Sequence, residues 1–480
     1  MAHPRRAEVG PRASVWAMAA YGGAMRRRAL GSMLVALVAT VGVGVPAGAA
    51  TAPVVLDVRG PSGAIPSGFI GLSVEASAMG SAAFDPAASN LPGALAALGP
   101  GILTFAGTSA DKAAWQRRPG DPVPRWATAT VTPAKLRTIA ALATTTGWRV
   151  DLGVNLYHDD PARAADEVAA AARILGGSLR EVHLGNEPEL YSYMYATPVS
   201  FDQYVARWTA YRQAIVERTP SVRLMGPDSY LPVWYDQLLG ARRVSGSLAE
   251  VGDHFYPFSD CFGAGVSAAA LLADRSLAKE AKALDKDRAL SGALGIPFSF
   301  DELNSVSCGS KAPVQWEGAS ALWAVRALLT AAAGGAAHVG VQTNLDHCQT
   351  YSPLCPIDAG RPDVQSPMPI MSALRLVAGL EGGTLLRIRT TSGALPAGAS
   401  AWAVAMPDGG RRIVLANTSS SAVADVTITG GPAVVTSVTT LSVPDLAATS
   451  VPDLVTSPPA VPGLAHLVVP AQTIEVLAGS

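Results

Sequence analysis

The sequence predicts a (β/α)8 barrel followed by an antiparallel β-sandwich. Of its 480 residues, 49% are hydrophobic and 15% are charged, which suits a globular protein with a large core. Short apolar runs alternate with helical segments eight times between residues 65 and 382, which favours a barrel over the alternative, a doubly wound parallel sheet. Beyond residue 383 the helical periodicity ends and short alternating segments follow, as in a sandwich.

The first 50 residues are typical of an export signal. Three arginines at 26–28 precede an apolar run over 29–45, and the small residues at 47–49 fit a cleavage site. Met25 could be the true start of the chain, and an uncleaved membrane anchor is the alternative to a cleaved signal. Without residues 1–50 the chain carries 30 basic and 36 acidic residues, so no basic surface for nucleic acid or lipid is expected. We therefore expect a secreted protein that keeps no membrane contact after cleavage.

The barrel prediction depends on eight apolar runs, each of a length that suits one strand. In chain order they are Phe69–Glu75, Gly101–Phe105, Arg149–Asn155, Glu181–Gly185, Val222–Gly226, Val251–Tyr256, Phe298–Glu302 and His338–Thr343. Helix signals lie between them: Thr132 with Pro133 opens one helix and Ser200 caps another. Two further helical segments cover Val314–Ala333 and Met371–Leu380.

The segment 383–480 predicts the sandwich. Its strand candidates are Thr384–Thr390, Ala401–Ala405, Arg412–Asn417 and Ala424–Thr429. The turn residues Asp408, Gly409 and Gly410 predict a hairpin. In the segment 51–64, which precedes the barrel, the extended piece Val54–Val58 could add a strand to the same sheet.

Four cysteines follow the export signal: Cys261, Cys308, Cys348 and Cys355. In an exported chain an even number indicates two disulfides, for which three pairings exist. Cys348 and Cys355 would close a short loop, so we expect Cys348–Cys355 and Cys261–Cys308. The spacing matches no zinc site.

Two glutamates are the candidate catalytic groups, because the active site of a barrel enzyme lies at the carboxyl ends of its strands. Glu187 follows strand four and Glu302 ends strand seven. Two carboxylates in these places can face each other across the barrel mouth, as retaining glycoside cleavage requires. We expect Glu302 to attack the anomeric carbon and Glu187 to act as the acid/base, with no metal or organic cofactor.

Other polar residues at strand ends are candidates for substrate contacts. Asn186 offers an amide to a sugar hydroxyl, and Pro188 fixes the turn that presents Glu187. Tyr256 ends strand six, where its hydroxyl could bond the nucleophile instead of only packing. Glu75 and Asp111 either accept hydrogen bonds from sugar hydroxyls or are buried structural carboxylates.

Several neighbouring residues are expected to be structural. Asp301 should point away from Glu302, since side chains alternate along a strand. His183 and His254 are expected to be core or strand-end residues. The sequence around His347 matches no known spacing of metal ligands, so no metal site is expected.

Two segments of the chain resemble the paired signatures of glycoside hydrolase family 79, which holds β-glucuronidases and heparanase-like enzymes. The first segment is Leu184-Gly185-Asn186-Glu187-Pro188-Glu189-Leu190-Tyr191, and the second is Glu302-x-Asn304-Ser305 followed by Gly309. Gly107-Thr108-Ser109-Ala110-Asp111 also resembles the glycine-rich motif of the family at strand two. The resemblance implies a retaining barrel with a largely C-terminal sandwich, Glu187 as acid/base and Glu302 as nucleophile.

The resemblance also implies how a sugar carboxylate would be held. Family members use backbone amides of the loop after the nucleophile and a tyrosine after strand eight. Asn304, Ser307 and Gly309 occupy that loop here, and Tyr351 corresponds to the tyrosine. A difference lies in strand eight, where Gln342 and its neighbours stand in place of an aromatic residue and a histidine.

The resulting hypothesis is a secreted, monomeric, retaining β-glucuronidase that acts on a glycoside or polysaccharide. Another retaining barrel glycosidase, such as a xylosidase, an arabinofuranosidase or a glucosylceramidase-like enzyme, shares the two glutamates. A third hypothesis is a carbohydrate-binding protein that has lost its catalytic activity. A metal-dependent hydrolase would need clustered ligands, whereas the seven histidines are scattered.

Overall fold

The computed structural model describes residues 53–480 except 264, 309–311, 349–350, 359 and 461–462. The predicted signal segment, residues 1–50, lies outside the described residues. Among the described helices, none is both long and apolar enough to cross a bilayer.

Eight parallel strands form the barrel, and each overlaps one of the predicted runs. Barrel strands one to eight are Ile70–Glu75, Ile102–Ala106, Arg149–Val154, Leu179–Leu184, Leu224–Met225, Val251–Phe255, Phe298–Leu303 and Val339–Gln342. Their order in the sheet follows the chain, and strand eight pairs with strand one. Two isolated bridges, Met225 to Glu250 and Ser229 to Asp253, join strands five and six and close the circle. The predicted barrel is confirmed.

Helices surround the barrel, and two of them begin where the sequence predicts. Thr132 accepts a hydrogen bond from the backbone of Lys135, and Ser200 forms a capping box with Gln203. The α-helices are Leu91–Ala96, Pro133–Thr146, Pro161–Leu175, Tyr191–Met194, Phe201–Arg218, Tyr235–Gly240, Arg242–Ser245, Ala268–Leu272, Asp274–Leu294, Gly318–Gly334 and Ile370–Ala378.

A second sheet of nine strands contains the chain from residue 384 onward. In sheet order its strands are Leu454–Ser457, Val435–Ser442, Thr473–Gly479, Arg411–Asn417, Ala399–Ala405, Thr384–Ser392, Val54–Ala64, Val423–Thr429 and Leu467–Val469. Val54–Ala64 pairs with strands on both sides, antiparallel to one and parallel to the other. Strands from distant parts of the sheet share one apolar core, so the sheet folds over on itself as a sandwich.

The sandwich packs against two barrel helices. Apolar side chains of its outer face belong to the same buried cluster as the helices Gly318–Gly334 and Ile370–Ala378. Arg326 is buried in this contact and donates hydrogen bonds to Thr418 Oγ1 at 3.0 Å and Leu272 O at 2.9 Å. Three short two-stranded sheets complete the chain: Ala113–Trp115 with Ala129–Val131, Phe258–Ser259 with Val306–Ser307, and Leu354–Pro356 with Gln365–Pro367.

Candidate active site

A cavity of about 270 Å³ opens at the carboxyl ends of the barrel strands. It brings together six of the residues that the sequence predicts for the site: Glu75, Glu187, Tyr256, Glu302, Ser307 and Tyr351. Its wall is completed by Thr108, Leu190, Tyr230, Ser259, Cys261, Cys308 and Gln342. The site is therefore assembled from loops that follow most of the eight strands.

Glu187 lies in a constrained turn directly after barrel strand four. Its φ is +47°, which is uncommon for a residue with a side chain and costs backbone energy. Pro188 follows it, and the Glu187 amide donates a hydrogen bond to Asp228 O at 2.9 Å. These contacts point the side chain into the cavity, where it is 15% exposed.

Glu302 lies opposite, near the end of barrel strand seven. A β-bulge interrupts the pairing of this strand between Phe300 and Glu302. Bulges redirect side chains and are common beside active sites. Tyr256 donates a short hydrogen bond to Glu302 Oε1, as predicted for this tyrosine.

The two glutamates are close together. One carboxylate oxygen of Glu187, one of Glu302 and a ring nitrogen of His254 all lie within 4.8 Å of one another. Retaining glycosidases hold their carboxyl groups roughly 5 to 5.5 Å apart, whereas inverting enzymes need about 6.5 Å or more. The oxygen–oxygen separation therefore lies on the short side, which suits direct attack by one carboxylate.

Burial and charge set the protonation of this pair. Burial raises the pKa of Glu302 to about 7, and the neighbouring charge of Glu187 acts in the same direction. His254 and the hydroxyl of Tyr256 oppose this increase in the pKa. Glu302 therefore binds a proton more readily than an exposed glutamate does.

Glu75 contributes a third carboxylate to the cavity. Its Oε2 accepts a hydrogen bond from the backbone of Ser109 at 2.8 Å. Gly107 makes this approach possible, because a Cβ there would lie 2.8 Å from the Glu75 carboxyl carbon. Glu75 is thus fixed by the glycine-rich segment after strand two and can accept hydrogen bonds from a sugar.

Ser307 and Tyr351 line the wall beyond the nucleophile. Ser307 pairs with Ser259 in the short sheet that joins the loops after strands six and seven. The ring of Tyr351 lies 5.9 Å from that of Tyr256. Gly309, the third predicted residue of this wall, lies outside the described residues.

The structure corrects three predicted substrate contacts, because Asp111, Asn304 and Asn186 do not line the cavity. Asp111 is fully buried and accepts hydrogen bonds from Tyr191 and from the backbone of Leu156, Tyr157 and Asn186. Asn304 is also buried and donates to Gln342 O. Both residues support the loops of the site instead of facing a ligand.

Asn186 is the third of these residues. It is 2% exposed, and its Oδ1 finds no hydrogen-bond partner among the described residues. A buried polar atom without a partner is uncommon in folded proteins.

Both predicted disulfides are present. Cys261–Cys308 joins the loops after strands six and seven and lines the cavity. Cys348–Cys355 closes the loop that carries Tyr351. The disulfides thus stabilise the loops that hold Ser307 and Tyr351.

The sequence reasoning missed the roles of His254, Asp301 and Tyr230. His254 is not a passive strand residue, since its Nδ1 lies 2.9 Å from Glu187 Oε1. The bulge in strand seven breaks the alternation, so Asp301 also reaches His254, at 3.4 Å, and the prediction that it points away was wrong. The spacing His-x-Tyr at the end of strand six was the available signal for His254.

Within the described part of the chain, two groups of side chains have donor atoms within 4.8 Å of one another, the spacing that a metal ion would need: His183, Asp228 and Asp301, and Glu187, His254 and Glu302. In each group an imidazole lies between carboxylates. Ion pairs therefore account for both arrangements, and neither requires a metal.

Comparison with known proteins supports the fold. No protein-family model and no curated protein matches the chain. A 4-O-α-L-rhamnosyl-β-D-glucuronidase from Fusarium oxysporum 12S has a similar structure, with a TM-score of 0.69, 16% identity and coverage of 88% of this chain and 99% of its own. A family 51 arabinofuranosidase from Xanthomonas axonopodis pv. citri has a TM-score of 0.68 and 15% identity, and the match covers 89% of this chain and 99% of its own. A family 44 xyloglucanase from Paenibacillus polymyxa has a TM-score of 0.61 and 11% identity, and the match covers 89% of this chain and 99% of its own.

These similar structures are all glycoside hydrolases. At this level of identity they establish a shared fold, a barrel with an added β-domain, and leave the individual family open. Membership of family 79 is not specifically supported by them.

Proposed function

We propose that the protein is a secreted retaining glycoside hydrolase that cleaves β-linked uronic acid glycosides by double displacement. The observation that carries the proposal is the pair Glu187 and Glu302, whose oxygens lie within 4.8 Å at the mouth of the barrel. The spacing suits a retaining mechanism. The cavity has room for about one sugar unit beside the reacting bond.

In the first step Glu302 attacks the anomeric carbon. The bond to the leaving oxygen breaks, and that oxygen takes the proton of Glu187, which leaves a glycosyl ester on Glu302. Tyr256 donates its hydrogen bond to Glu302 and stabilises the carboxylate whenever it is free.

In the second step a water molecule replaces the departed group. The carboxylate of Glu187 takes a proton from the water, and the resulting hydroxide attacks the anomeric carbon. The ester bond breaks, Glu302 is released, and the product has the configuration of the substrate.

The uronic acid reading is supported by the wall formed by Ser307 and Tyr351. These residues occupy the positions that the family 79 resemblance assigns to carboxylate binding, and both line the cavity. Tyr230 adds a further hydroxyl next to Ser307. One similar structure, the Fusarium enzyme, is a glucuronidase.

A neutral sugar is the second candidate substrate, and the charge of the cavity favours it. The lining includes three glutamates, and no lysine or arginine is among its described residues. Gln342 faces the cavity from strand eight, where the family has an aromatic residue and a histidine. Three of the similar structures are arabinofuranosidases of family 51.

A panel of 4-nitrophenyl glycosides that includes the β-glucuronide, β-xyloside and α-L-arabinofuranoside separates these readings. We expect cleavage of the glucuronide, with the activity lost in Glu302→Gln. A preference for a neutral sugar would contradict the proposed uronic acid specificity and would leave the proposed retaining mechanism unchanged.

The catalytic roles are tested separately. Glu187→Ala should regain activity with azide and yield the glycosyl azide with retained configuration, because azide needs no general base. A 2-deoxy-2-fluoroglycosyl fluoride should label Glu302, as read by peptide mass spectrometry. Product of inverted configuration, or label on another residue, would contradict the proposal.

A further inference from the structure

Beneath the two glutamates lies a buried column of alternating carboxylates and imidazoles. From the cavity downward it consists of Glu187, His254, Asp301, His183 and Asp228. The four residues below Glu187 are 4% exposed or less. Charged side chains are rarely buried unless they pair with opposite charges. The alternation of carboxylates and imidazoles explains why these residues can be buried together.

His254 connects the column to the acid/base. Its Nδ1 lies 2.9 Å from Glu187 Oε1, and its Nε2 lies 3.4 Å from Asp301 Oδ2. Glu302 Oε2 is farther away, at 3.8 Å from Nδ1. Both ring nitrogens therefore face carboxylate oxygens, and a ring that carries two N–H groups satisfies both.

Two features of the backbone make room for Asp301 in this position. The bulge in strand seven directs Asp301 and Glu302 toward the same histidine. On strand six, Gly252 leaves space for carboxylates, since a Cβ there would lie 2.9 Å from Asp301 Oδ1 and would collide with Asp228. A residue with a side chain at 252 would displace the column.

The charges around His254 favour its cation. Carboxyl groups act on it from every adjoining element: Glu187 and Glu189 after strand four, Asp228 after strand five, Asp253 on strand six, and Asp301 and Glu302 on strand seven. The cations around it are His183, beyond Asp301, and Lys279, Lys282 and Lys286, which line a second cavity together with His254. Burial opposes ionisation, but the charges of Glu302, Asp301 and Glu187 raise the pKa of His254 well above its usual value.

We propose that Asp301 is a positioning residue that acts through His254 to orient the acid/base Glu187. The Nδ1–H of His254 donates a hydrogen bond to Oε1 of Glu187. The proton for the leaving group is therefore carried by the other oxygen, Oε2. Asp301 holds the imidazole in that orientation and keeps both of its nitrogens protonated. This inference rests on the proposed function, because it concerns the proton that Glu187 delivers.

The role predicts a particular dependence on the leaving group. Dinitrophenolate departs without protonation, whereas phenolate needs the proton of Glu187. General acid catalysis contributes typically 10² to 10⁴-fold. Asp301→Asn should therefore reduce kcat/KM about 100-fold for the phenyl glycoside and less than about 3-fold for the dinitrophenyl glycoside.

A matched control separates positioning from general damage. Glu280→Gln changes another fully buried carboxyl, on the helix Asp274–Leu294 and away from the column. It should affect both substrates equally and only slightly. Equal losses for both substrates in Asp301→Asn would show damage to Glu302 or to the fold and would overturn the proposal.

A second variant and a second measurement keep the test independent. His254→Gln should show the same selective loss with poor leaving groups, and combining it with Asp301→Asn should add little further loss. NMR titration of the imidazole needs no turnover: His254 should lose its second proton at a higher pH than a free imidazole does, and Asp301→Asn should shift the midpoint downward. An unchanged midpoint overturns the inference, whereas a wild-type protein inactive on every glycoside overturns only the proposed function.

Discussion

Tyr256 shows how one hydroxyl controls the nucleophile. It donates to Glu302 Oε1 and lowers the pKa of that carboxyl against the effect of burial. Tyr256→Phe should reduce kcat about 10 to 100-fold, because the carboxylate loses a charge-assisted hydrogen bond in a buried site. Steady-state kinetics with the preferred nitrophenyl glycoside measures the loss.

Tyr230→Phe is the matched control for this prediction. Its ring lines the same cavity, but its hydroxyl bonds Ser307 and not a glutamate. It should raise KM more than it lowers kcat. Equal kcat values for Tyr256→Phe and the wild type would contradict the role of Tyr256.

The protonation of the nucleophile sets an acid limit on activity. Glu302 has a pKa raised to about 7, first by burial and then by the charge of Glu187. Only the ionised carboxylate can attack the anomeric carbon, so protonation of Glu302 below that pH removes the nucleophile. We expect kcat/KM to rise as the pH rises through about 7, for the phenyl and the dinitrophenyl glycoside alike. A rise confined to one of the two substrates would contradict this role of Glu302.

Arg326 joins the helix Gly318–Gly334 to the sandwich through its side chain. Its guanidinium is buried and bonds Thr418, Ser400 and Asp274, which lie in both parts of the structure. Arg326→Ala would leave buried acceptors unpaired, which costs about 3 kcal/mol of unfolding free energy. Calorimetry should show a melting temperature lower by several degrees.

Arg375 on the last helix provides the comparison. It lies in the helix Ile370–Ala378, which also packs on the sandwich, but its own side chain is exposed. Arg375→Ala should change the melting temperature little. Equal stability of the two variants would show that the Arg326 contacts contribute nothing.

At the scale of elements the sequence predicts regular structure well and irregular structure poorly. The strand runs and the caps at Thr132 and Ser200 follow from local periodicity and are found where expected. The bulge at Asp301 is a feature of pairing between strands, and alternation within one strand cannot reveal it. Asp111 shows the converse case: a carboxylate at a strand end looks functional until its four donors are known.

The interior of the barrel is more polar than the sequence suggests. Barrel cores are usually filled by layers of branched apolar side chains. Here Arg180 pairs with Asp151 and Glu250 near the amino ends of the strands, and the histidine column lies above them. The partners of these charged residues lie on other strands. A single charged residue in an apolar run does not indicate which residue it will pair with, so the sequence could not predict this network.

Buried carboxyls with raised pKa values make the stability of the whole molecule depend on pH. Burial raises the pKa of Glu167 to about 8, and that of Glu181, Glu189, Asp287, Glu302 and Glu381 to about 7. Such a group binds more protons in the folded than in the unfolded protein. Its stabilising effect is complete below its unfolded pKa, near 4 to 4.5, and is lost as the pH rises through the folded value.

We therefore expect the melting temperature to fall between about pH 5 and pH 8. Glu250, whose pKa is lowered to about 2 mainly by His338 and Arg180 against burial, stays ionised throughout this range and adds no opposing slope. Glu167→Gln should raise the melting temperature at pH 8 by about 2 to 5 °C and leave it nearly unchanged at pH 5. Glu217→Gln, at an exposed helix position, should follow the wild type at both values. A melting temperature that rises from pH 5 to pH 8 would mean that these carboxyls are ionised in the folded protein.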